Sequence, residues 1–116
     1  MIEFIFIRKE GQALMFNLML ICGVGMSTSL IVEKIKDAAE KRNQPINCWA
    51  VMQSAAPDNY QKADVILLGP HVAYYQKNLE EMSGENPIKI GVIDRMDYAM
   101  FDGDKILDQA LKIYNS

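Results

Sequence analysis

Short apolar runs alternate with amphipathic segments from residue 15 onward, and this alternation constrains the fold more than any other feature of the chain. The run at 15–22, MFNLMLIC, is almost continuously apolar, as is typical of a strand buried on both faces. Similar runs stand at 46–52, 64–69 and 88–94, and helical or turn-rich segments separate them. A βαβαβαβα order predicts a single α/β domain with a four-stranded parallel sheet and helices on both faces. The simplest strand order is 2-1-3-4.

Helical spacing indicates which faces of the intervening segments are buried. Pro70 suits the first turn of a helix that Gly84 ends, and 95–103 is predicted to be a loop. The segment 54–63 is predicted to be a turn-rich connection with room for one helical turn. The stripes expected to face the core are Ile31, Ile35, Ala38 and Ala39 in the first helix, Val72, Tyr75, Leu79 and Met82 in the next, and Ile106, Leu107, Ala110, Leu111 and Tyr114 in the last.

Composition excludes several classes of function. The chain has 116 residues, half of them hydrophobic, which is enough for one domain with its own core. Its net charge of -3, without a basic run, argues against nucleic acid and against an anionic membrane surface. Two distant cysteines and one histidine predict no metal site, and no cofactor is expected. No apolar stretch reaches about 20 residues, so we expect a cytoplasmic protein that does not span a membrane.

Residues 1–14 differ in character from the rest of the chain and are interpreted as an N-terminal extension to a domain at 15–116. They begin apolar and become charged at Arg8, Lys9 and Glu10, an order that does not fit a secretory signal. Lys9-Glu10-Gly11 can be encoded by a bacterial ribosome-binding sequence, which makes Met15 a candidate natural start. The alternative is a genuine extra strand at 2–7.

The turn after the first strand carries the most distinctive chemistry. Cys22 ends the strand, and Gly23 and Gly25 come after it with freedom to adopt positive φ angles. Successive N–H groups in such a turn form an anion-binding nest, and the N-terminus of the next helix adds partial positive charge. Hydroxyl donors are present at Ser27, Thr28 and Ser29. The turn therefore predicts a cradle for a dianion at the switch point of the sheet.

Cys22 stands at the first position of this cradle, where the helix N-terminus favours the nucleophilic thiolate. The alternative is that Cys22 is only a small buried hydrophobe at the end of a strand. Cys48 provides an internal comparison, because it lies inside a strand with no such turn after it. We predict that Cys48 is structural.

Three segments resemble a known family. The run Cys22-Gly23-Val24-Gly25-Met26-Ser27-Thr28-Ser29 resembles the phosphocysteine loop of the IIB component of the bacterial phosphoenolpyruvate-dependent sugar phosphotransferase system, lactose/cellobiose family, and looks most like its cellobiose/chitobiose branch. The segments ADVILLGPHVAYY and VIDRMDYAMFDG are similar to family segments at the same distances, so that the resemblance covers about residues 15 to 114.

The resemblance implies a phosphoryl relay. A histidine of the IIA protein would give its phosphoryl group to Cys22. Cys22 would then pass the group to a β-linked disaccharide of the cellobiose, chitobiose or lactose class, held by the membrane IIC protein. The residues implied to bind the phosphate are Gly23, Val24, Gly25, Met26, Ser27, Thr28 and Ser29.

Two positions depart from the pattern of the family. Val24 stands where a small residue is frequent, which would stiffen the turn but leave its amide donors intact. His71 stands where glutamine is common, and a histidine near a cysteine loop also fits a Cys–His catalytic pair. We favour the simpler interpretation, a polar substitution at the start of a helix.

The main alternative function is a hydrolase similar to the low-molecular-weight protein tyrosine phosphatases, which also place a cysteine after the first strand of such a fold. Their loop carries an arginine at the sixth position after the cysteine, where this chain has Thr28. Asp94 and Asp97 are candidate general acids, although acids after a strand more often form turns or cap helices. A third interpretation is a binding or redox module. The absence of a resolving cysteine close to Cys22 in the sequence argues against it.

Several apolar and aromatic side chains lie just after the predicted strands and are expected to surround Cys22. We predict that they form a docking surface for IIA and then for IIC at the inner face of the membrane, since methionine side chains repack readily against different partners. The alternative is that they only fill the layer between loops and helices. The predicted docking residues in the later loops are His71, Tyr74, Met96, Tyr98 and Met100.

Overall fold

Four strands and four α-helices follow one another in the part of the chain that the computed structural model describes, which is 15–22, 27–85 and 88–116, with only the backbone of Ser27 and Thr28. The strands are β1 (Phe16–Cys22), β2 (Ile46–Met52), β3 (Val65–Leu68) and β4 (Lys89–Val92). The α-helices are α1 (Ser27–Lys41), α2 (Gln76–Ser83), α3 (Arg95–Ala99) and α4 (Gly103–Tyr114). Short 3₁₀ helices occupy Gln53–Asp58, Tyr60–Lys62 and Pro70–Tyr75.

The strands form one parallel sheet in the order β2-β1-β3-β4, which confirms the predicted topology. The central strands β1 and β3 are almost completely buried, as their continuous apolar sequences predict. In the register of the sheet Cys22 pairs with Met52, and Ile21 pairs with Leu68. The strands therefore end nearly in step at one edge of the sheet.

Each face of the sheet contributes to a separate apolar cluster. Leu18 and Leu20 of β1 face α1 and α4, because side chains two positions apart in a strand share a face. Met19 and Ile21 face the other side, where the 3₁₀ helices and α2 supply the cover. The stripe predicted for α1 is buried in full, as are Ile106, Leu107 and Ala110 of α4, while Leu111 and Tyr114 are half-buried.

The helices α1 and α4 lie against one another with close backbone contact. Gly103, at the start of α4, is so near the backbone of Lys34 that any Cβ at this position would overlap with the Lys34 carbonyl group. Just past the end of α1, the Arg42 guanidinium pairs with Asp108 at 2.7 Å and Asp104 at 3.1 Å. A glycine contact and an ion-pair cluster thus fix this helix pair at two separate points.

The predicted helices and loops differ from the structure in three places. The predicted loop at 95–103 contains the helix α3, because the Asp94 side chain caps its first turn. The helix predicted from Pro70 begins as a 3₁₀ helix, and Val72, with φ -119° and ψ 23°, departs from helical geometry within it. The apolar run at 88–94 contributes only Lys89–Val92 to the sheet.

The turn-rich connection predicted at 54–63 consists largely of two 3₁₀ helices, Gln53–Asp58 and Tyr60–Lys62. The N-terminal extension at 1–14, and with it the alternative strand at 2–7, lies outside the described residues.

Candidate functional site

The carboxyl ends of the four strands converge on one edge of the sheet, and most of the predicted site residues come directly after them. The hydrogen bonding continues just past the strands, where the Gly69 N–H donates to the Ile21 carbonyl at 2.9 Å and the Ile93 N–H donates to the Leu68 carbonyl at 2.8 Å. This edge is where parallel sheets place their ligands.

Cys22 is the last residue of β1 and is 4% exposed. It falls on the same face of β1 as Leu18 and Leu20, the face that α1 covers. The next helix along the chain, α1, runs for 15 residues and begins at Ser27. The thiol is therefore recessed at the end of a central strand, one short connection before a helix N-terminus.

The predicted phosphate-binding residues lie only partly within the described chain. Gly23, Val24, Gly25 and Met26 are outside it, and of Ser27 and Thr28 only the backbone, which opens α1, is described. Ser29 is exposed in the first turn of α1. The assignment of these seven residues to phosphate binding stays a prediction.

Cys48 occupies a different environment from Cys22. It lies in the middle of β2, 3% exposed, within the apolar cluster beneath α1 and α4. Burial raises the pKa of the Cys48 thiol to about 12, against a smaller opposite effect of Lys36. Cys48 is thus a protonated core residue at neutral pH, as its position inside a strand predicts.

Large apolar side chains are exposed around the edge that Cys22 occupies. Tyr74, Met96 and Met100 are each 67% exposed, and Met52, at the end of β2, is 59% exposed. His71 is exposed and Tyr98 is half-buried. We call these six residues the rim: Met52, His71, Tyr74, Met96, Tyr98 and Met100.

Two side-chain contacts link the segments of the rim. The Tyr74 hydroxyl donates a 2.7 Å hydrogen bond to Oε1 of Gln53, which joins the 3₁₀ helix after β3 to the first residue after β2. The His71 and Tyr98 rings lie 5.7 Å apart between centroids, inclined by 56°, and join the same 3₁₀ helix to α3. His71 is thus engaged with Tyr98 in the rim, an arrangement that suits the interpretation as a substitution at a helix start.

Hydrogen bonds from two further side chains hold α3 in place. The Asp94 carboxylate accepts from the N–H groups of Met96 at 2.9 Å and Asp97 at 3.1 Å, which makes Asp94 a helix cap. Gln109 of α4 donates from Nε2 to the Val92 carbonyl at 2.7 Å and accepts from the Asp94 N–H at 3.3 Å. These bonds satisfy backbone groups where β4 ends and α3 begins.

Sequence reasoning missed Met52, Gln53 and Gln109. Met52 could have been found by aligning the strand ends, since it is the last apolar residue of β2 and the register pairs it with Cys22. The hydrogen bond between Gln53 and Tyr74 links residues 21 positions apart, and no local pattern indicates it.

A family model for the lactose/cellobiose-specific IIB subunit of the phosphotransferase system matches residues 17–109. The chain is 38% identical over 99 residues to the oligo-beta-mannoside-specific EIIB component of Bacillus subtilis, covering 85% of this chain and 96% of that protein. It is 35% identical over 102 residues to the galactose-specific and cellobiose-specific EIIB components of two Lactococcus lactis subspecies, cremoris and lactis, covering 83% of this chain and 94% of each.

Solved structures share the fold. The cellobiose-specific IIB component of Borrelia burgdorferi is 33% identical and superposes with a TM-score of 0.72, with coverage of 87% of this chain and 93% of that one. The lactose-specific IIB domain of Streptococcus pneumoniae superposes with a TM-score of 0.76, with coverage of 85% and 97%, and at 19% identity this likeness concerns the fold alone.

Proposed function

The chain belongs to the lactose/cellobiose-specific IIB subunits of the phosphotransferase system, and on that basis we propose that Cys22 is the residue that carries its phosphoryl group. Subunits of this family act in sugar phosphorylation and uptake, so the chain is a phosphotransferase component. The observation that carries the assignment of Cys22 is its place at the carboxyl end of β1, directly before the segment that leads into α1.

The proposed chemistry consists of two phosphoryl transfers. In the first, the Cys22 thiolate attacks the phosphohistidine of the IIA protein, a phosphorus–sulfur bond forms, and the phosphorus–nitrogen bond breaks. In the second, a sugar hydroxyl attacks the phosphocysteine, a phosphorus–oxygen bond forms, Cys22 leaves as the thiolate, and the hydroxyl proton is released. Residues 23–29 would hold the phosphate with backbone amides and hydroxyls, aided by the N-terminus of α1.

The phosphatase alternative finds no support among the relatives described above, which are named as phosphotransferase components. Thr28 stands where those hydrolases carry the arginine that grips two phosphate oxygens at once. Asp94, a candidate general acid, uses its carboxylate to cap α3. These features favour a protein that holds the phosphoryl group until an acceptor is positioned.

The proposed sugar and partners rest on membership of the family. We propose a β-linked disaccharide of the cellobiose, chitobiose or lactose class, in keeping with the oligo-beta-mannoside-specific and cellobiose-specific names of two relatives. The IIA protein would be the donor and the membrane IIC protein, with its bound sugar, the acceptor. The rim lies along the edge of the sheet where Cys22 ends β1, and it would dock both proteins in turn.

We propose a cytoplasmic location with transient contact at the inner face of the membrane. Among the described residues, no helix has both the length and the apolar character that crossing a bilayer requires. Exchange with a membrane-bound acceptor would then bring the rim to the membrane surface only while the IIC protein is engaged.

Incubation with phosphorylated IIA protein, and then mapping of the phosphoryl group by mass spectrometry, tests the assignment. We expect modification at Cys22, loss of acceptance in Cys22→Ser, and normal acceptance in the matched variant Cys48→Ser. Circular dichroism of both variants establishes that they are folded. Phosphate on His71 or Ser27 of the wild-type protein would contradict the proposal.

A further inference from the structure

Met52 lies beside Cys22 in the sheet. The two residues are register partners on neighbouring parallel strands, so their side chains share the face that α1 covers and their backbones are about 4.8 Å apart. Cys22 is 4% exposed, whereas Met52 is 59% exposed. The thiol is recessed, and the methionine next to it projects to the surface.

A hydrogen bond between the side chains of Tyr74 and Gln53, which we call the strut, ties the end of β2 to the 3₁₀ helix after β3. Gln53 comes directly after Met52, and its Oε1 atom accepts the 2.7 Å hydrogen bond from the Tyr74 hydroxyl. Since β1 lies between β2 and β3, this bond joins the loops on either side of the strand that ends in Cys22. The strut thus ties the backbone that follows Met52 to the 3₁₀ helix after β3.

Met52 and the residues next to it suit contact with an apolar protein surface and not with a polar ligand. Met52, Gln53 and Tyr74 carry no charge, and Asp94, Arg95 and Asp97 lie after β4, two strands beyond β1. A thioether donates no hydrogen bond to a phosphate or a sugar hydroxyl. It offers apolar contact area that adapts to the shape of a partner.

We propose that Met52 is a contact residue for the phosphoryl-donor protein, with Gln53 and Tyr74 as positioning residues that hold it beside Cys22. The inference rests on the proposed function, in which a histidine of the donor must reach the recessed thiol. A protein surface that brings a histidine to Cys22 passes over the neighbouring strand end and buries Met52. Met52 would therefore contribute to donor affinity without taking part in the chemical step.

Single-turnover phosphoryl transfer from phosphorylated IIA protein to Cys22, measured over a range of donor concentrations, tests the role of Met52. In Met52→Ala we expect the donor concentration for half-maximal rate to rise about tenfold, with the plateau rate retained. A larger rise is expected in Met52→Glu, which places a charge in the contact, and Met52→Leu should restore most of the affinity lost in Met52→Ala. Met15→Glu is the matched control, since Met15 is 49% exposed just before β1, at the opposite end of the sheet.

The roles of Gln53 and Tyr74 are tested separately, by the same measurement of half-maximal donor concentration. Tyr74→Phe and Gln53→Ala each break the strut, and we expect each to raise the half-maximal donor concentration a few-fold, with no further rise in the double variant. Both variants should retain the plateau rate, because neither residue takes part in the chemical step. Full additivity of the two substitutions would contradict the strut.

The outcomes separate this inference from the proposed function. If the wild-type protein accepts phosphate at Cys22 and the Met52 variants match Met15→Glu, the role of Met52 is wrong and the proposed function stands. A wild-type protein that never accepts phosphate at Cys22 contradicts the proposed function itself. If Met52→Ala slows only the later transfer to sugar in IIC-containing membranes, Met52 contacts the acceptor and the donor assignment is overturned.

Discussion

Two cysteines lie on neighbouring strands of this sheet, and their places along those strands give them different chemistry. Cys22 and Cys48 are 4% and 3% exposed, so exposure does not separate them. Cys22 terminates its strand shortly before a helix N-terminus, whereas Cys48 lies mid-strand within an apolar cluster. From their positions relative to the strand ends we predict that Cys22 is the reactive thiol and Cys48 the inert one.

The raised pKa of Cys48 makes the stability of the fold depend on pH. In the unfolded chain the thiol loses its proton above a pKa of about 8.5, whereas in the folded protein it keeps the proton up to about 12. The folded state then binds more protons than the unfolded state, so the free energy of unfolding falls as pH rises through this window. At pH 10 the loss amounts to about 2 kcal/mol.

Urea unfolding of the wild-type protein and Cys48→Ala at pH 8 and pH 10 measures this contribution. The difference in stability between the two proteins should shift by about 2 kcal/mol between these pH values, in favour of Cys48→Ala at the higher pH. The other titrating groups are common to both proteins and cancel. A difference that stays constant with pH would contradict the burial of a protonated Cys48.

The same contrast predicts selective alkylation. With a pKa of about 12, only about one Cys48 thiol in ten thousand is ionised at pH 8. Since the thiolate is the reactive form, iodoacetamide should modify Cys22 much faster than Cys48 in the native protein. Peptide mass spectrometry over time gives both rates, and the difference should vanish in denaturant. Faster labelling of Cys48 in the native protein would contradict this assignment of roles.

Helices with a long buried stripe were predictable from the sequence. Short helices that depend on a few side-chain hydrogen bonds were less so. The 15-residue helix α1 shows its full apolar stripe in the sequence. The five-residue helix α3 has no buried residue, and the sequence predicts a loop there, because the helix depends on the Asp94 cap and on Gln109 of α4. Asp94, directly before the helix, is a local signal for a helix start. No local pattern indicates the hydrogen bonds of Gln109, which lies in α4.

The α3 cap predicts a specific loss of stability. Replacing Asp94 with alanine removes the acceptor for the Met96 and Asp97 N–H groups and should lower the free energy of unfolding by about 1 kcal/mol. Asp94→Ser retains a capping oxygen and should recover most of that loss. Urea unfolding measures both, and equal stability of the two variants would show that the cap is not the cause.

The close contact between α1 and α4 predicts that a larger residue at Gly103 lowers the stability of the fold. In Gly103→Ala the new methyl group meets the carbonyl of Lys34, a backbone atom that moves only with its helix. We expect destabilisation by about 1–3 kcal/mol, as for other overpacked sites. Lys105→Ala, at an exposed position in the same turn of α4, is the control and should remain within about 0.5 kcal/mol of wild type. A stabilised Gly103→Ala would mean that α4 shifts at little cost.

At the scale of the whole molecule, the strand order and the edge that carries the site were predictable from the sequence. Buried parallel strands joined by helical crossovers leave few arrangements, and in all of them the residues after the strands share one edge. The contacts that organise this edge were not predictable. The Gln53–Tyr74 bond and the His71–Tyr98 ring contact depend on how separate loops come to lie side by side.

All four strands and both apolar clusters of the described structure lie within residues 15–116. We therefore predict that removal of residues 1–14 lowers the melting temperature by only a few degrees. Thermal unfolding monitored by circular dichroism compares the two chains, and phosphorylation by IIA protein checks that function is retained. A drop of more than about ten degrees would identify 1–14 as a structural part of the domain.

The exposed methionines of the rim make the protein sensitive to oxidation at its surface in a way that its core is not. Met52, Met96 and Met100 expose most of their side chains, whereas Met19 is completely buried beneath the sheet cover. Peroxide converts an accessible thioether to a polar sulfoxide, which no longer suits an apolar contact. Oxidation would then alter the proposed docking surface while the core stays intact, and methionine sulfoxide reductases would restore the protein without refolding it.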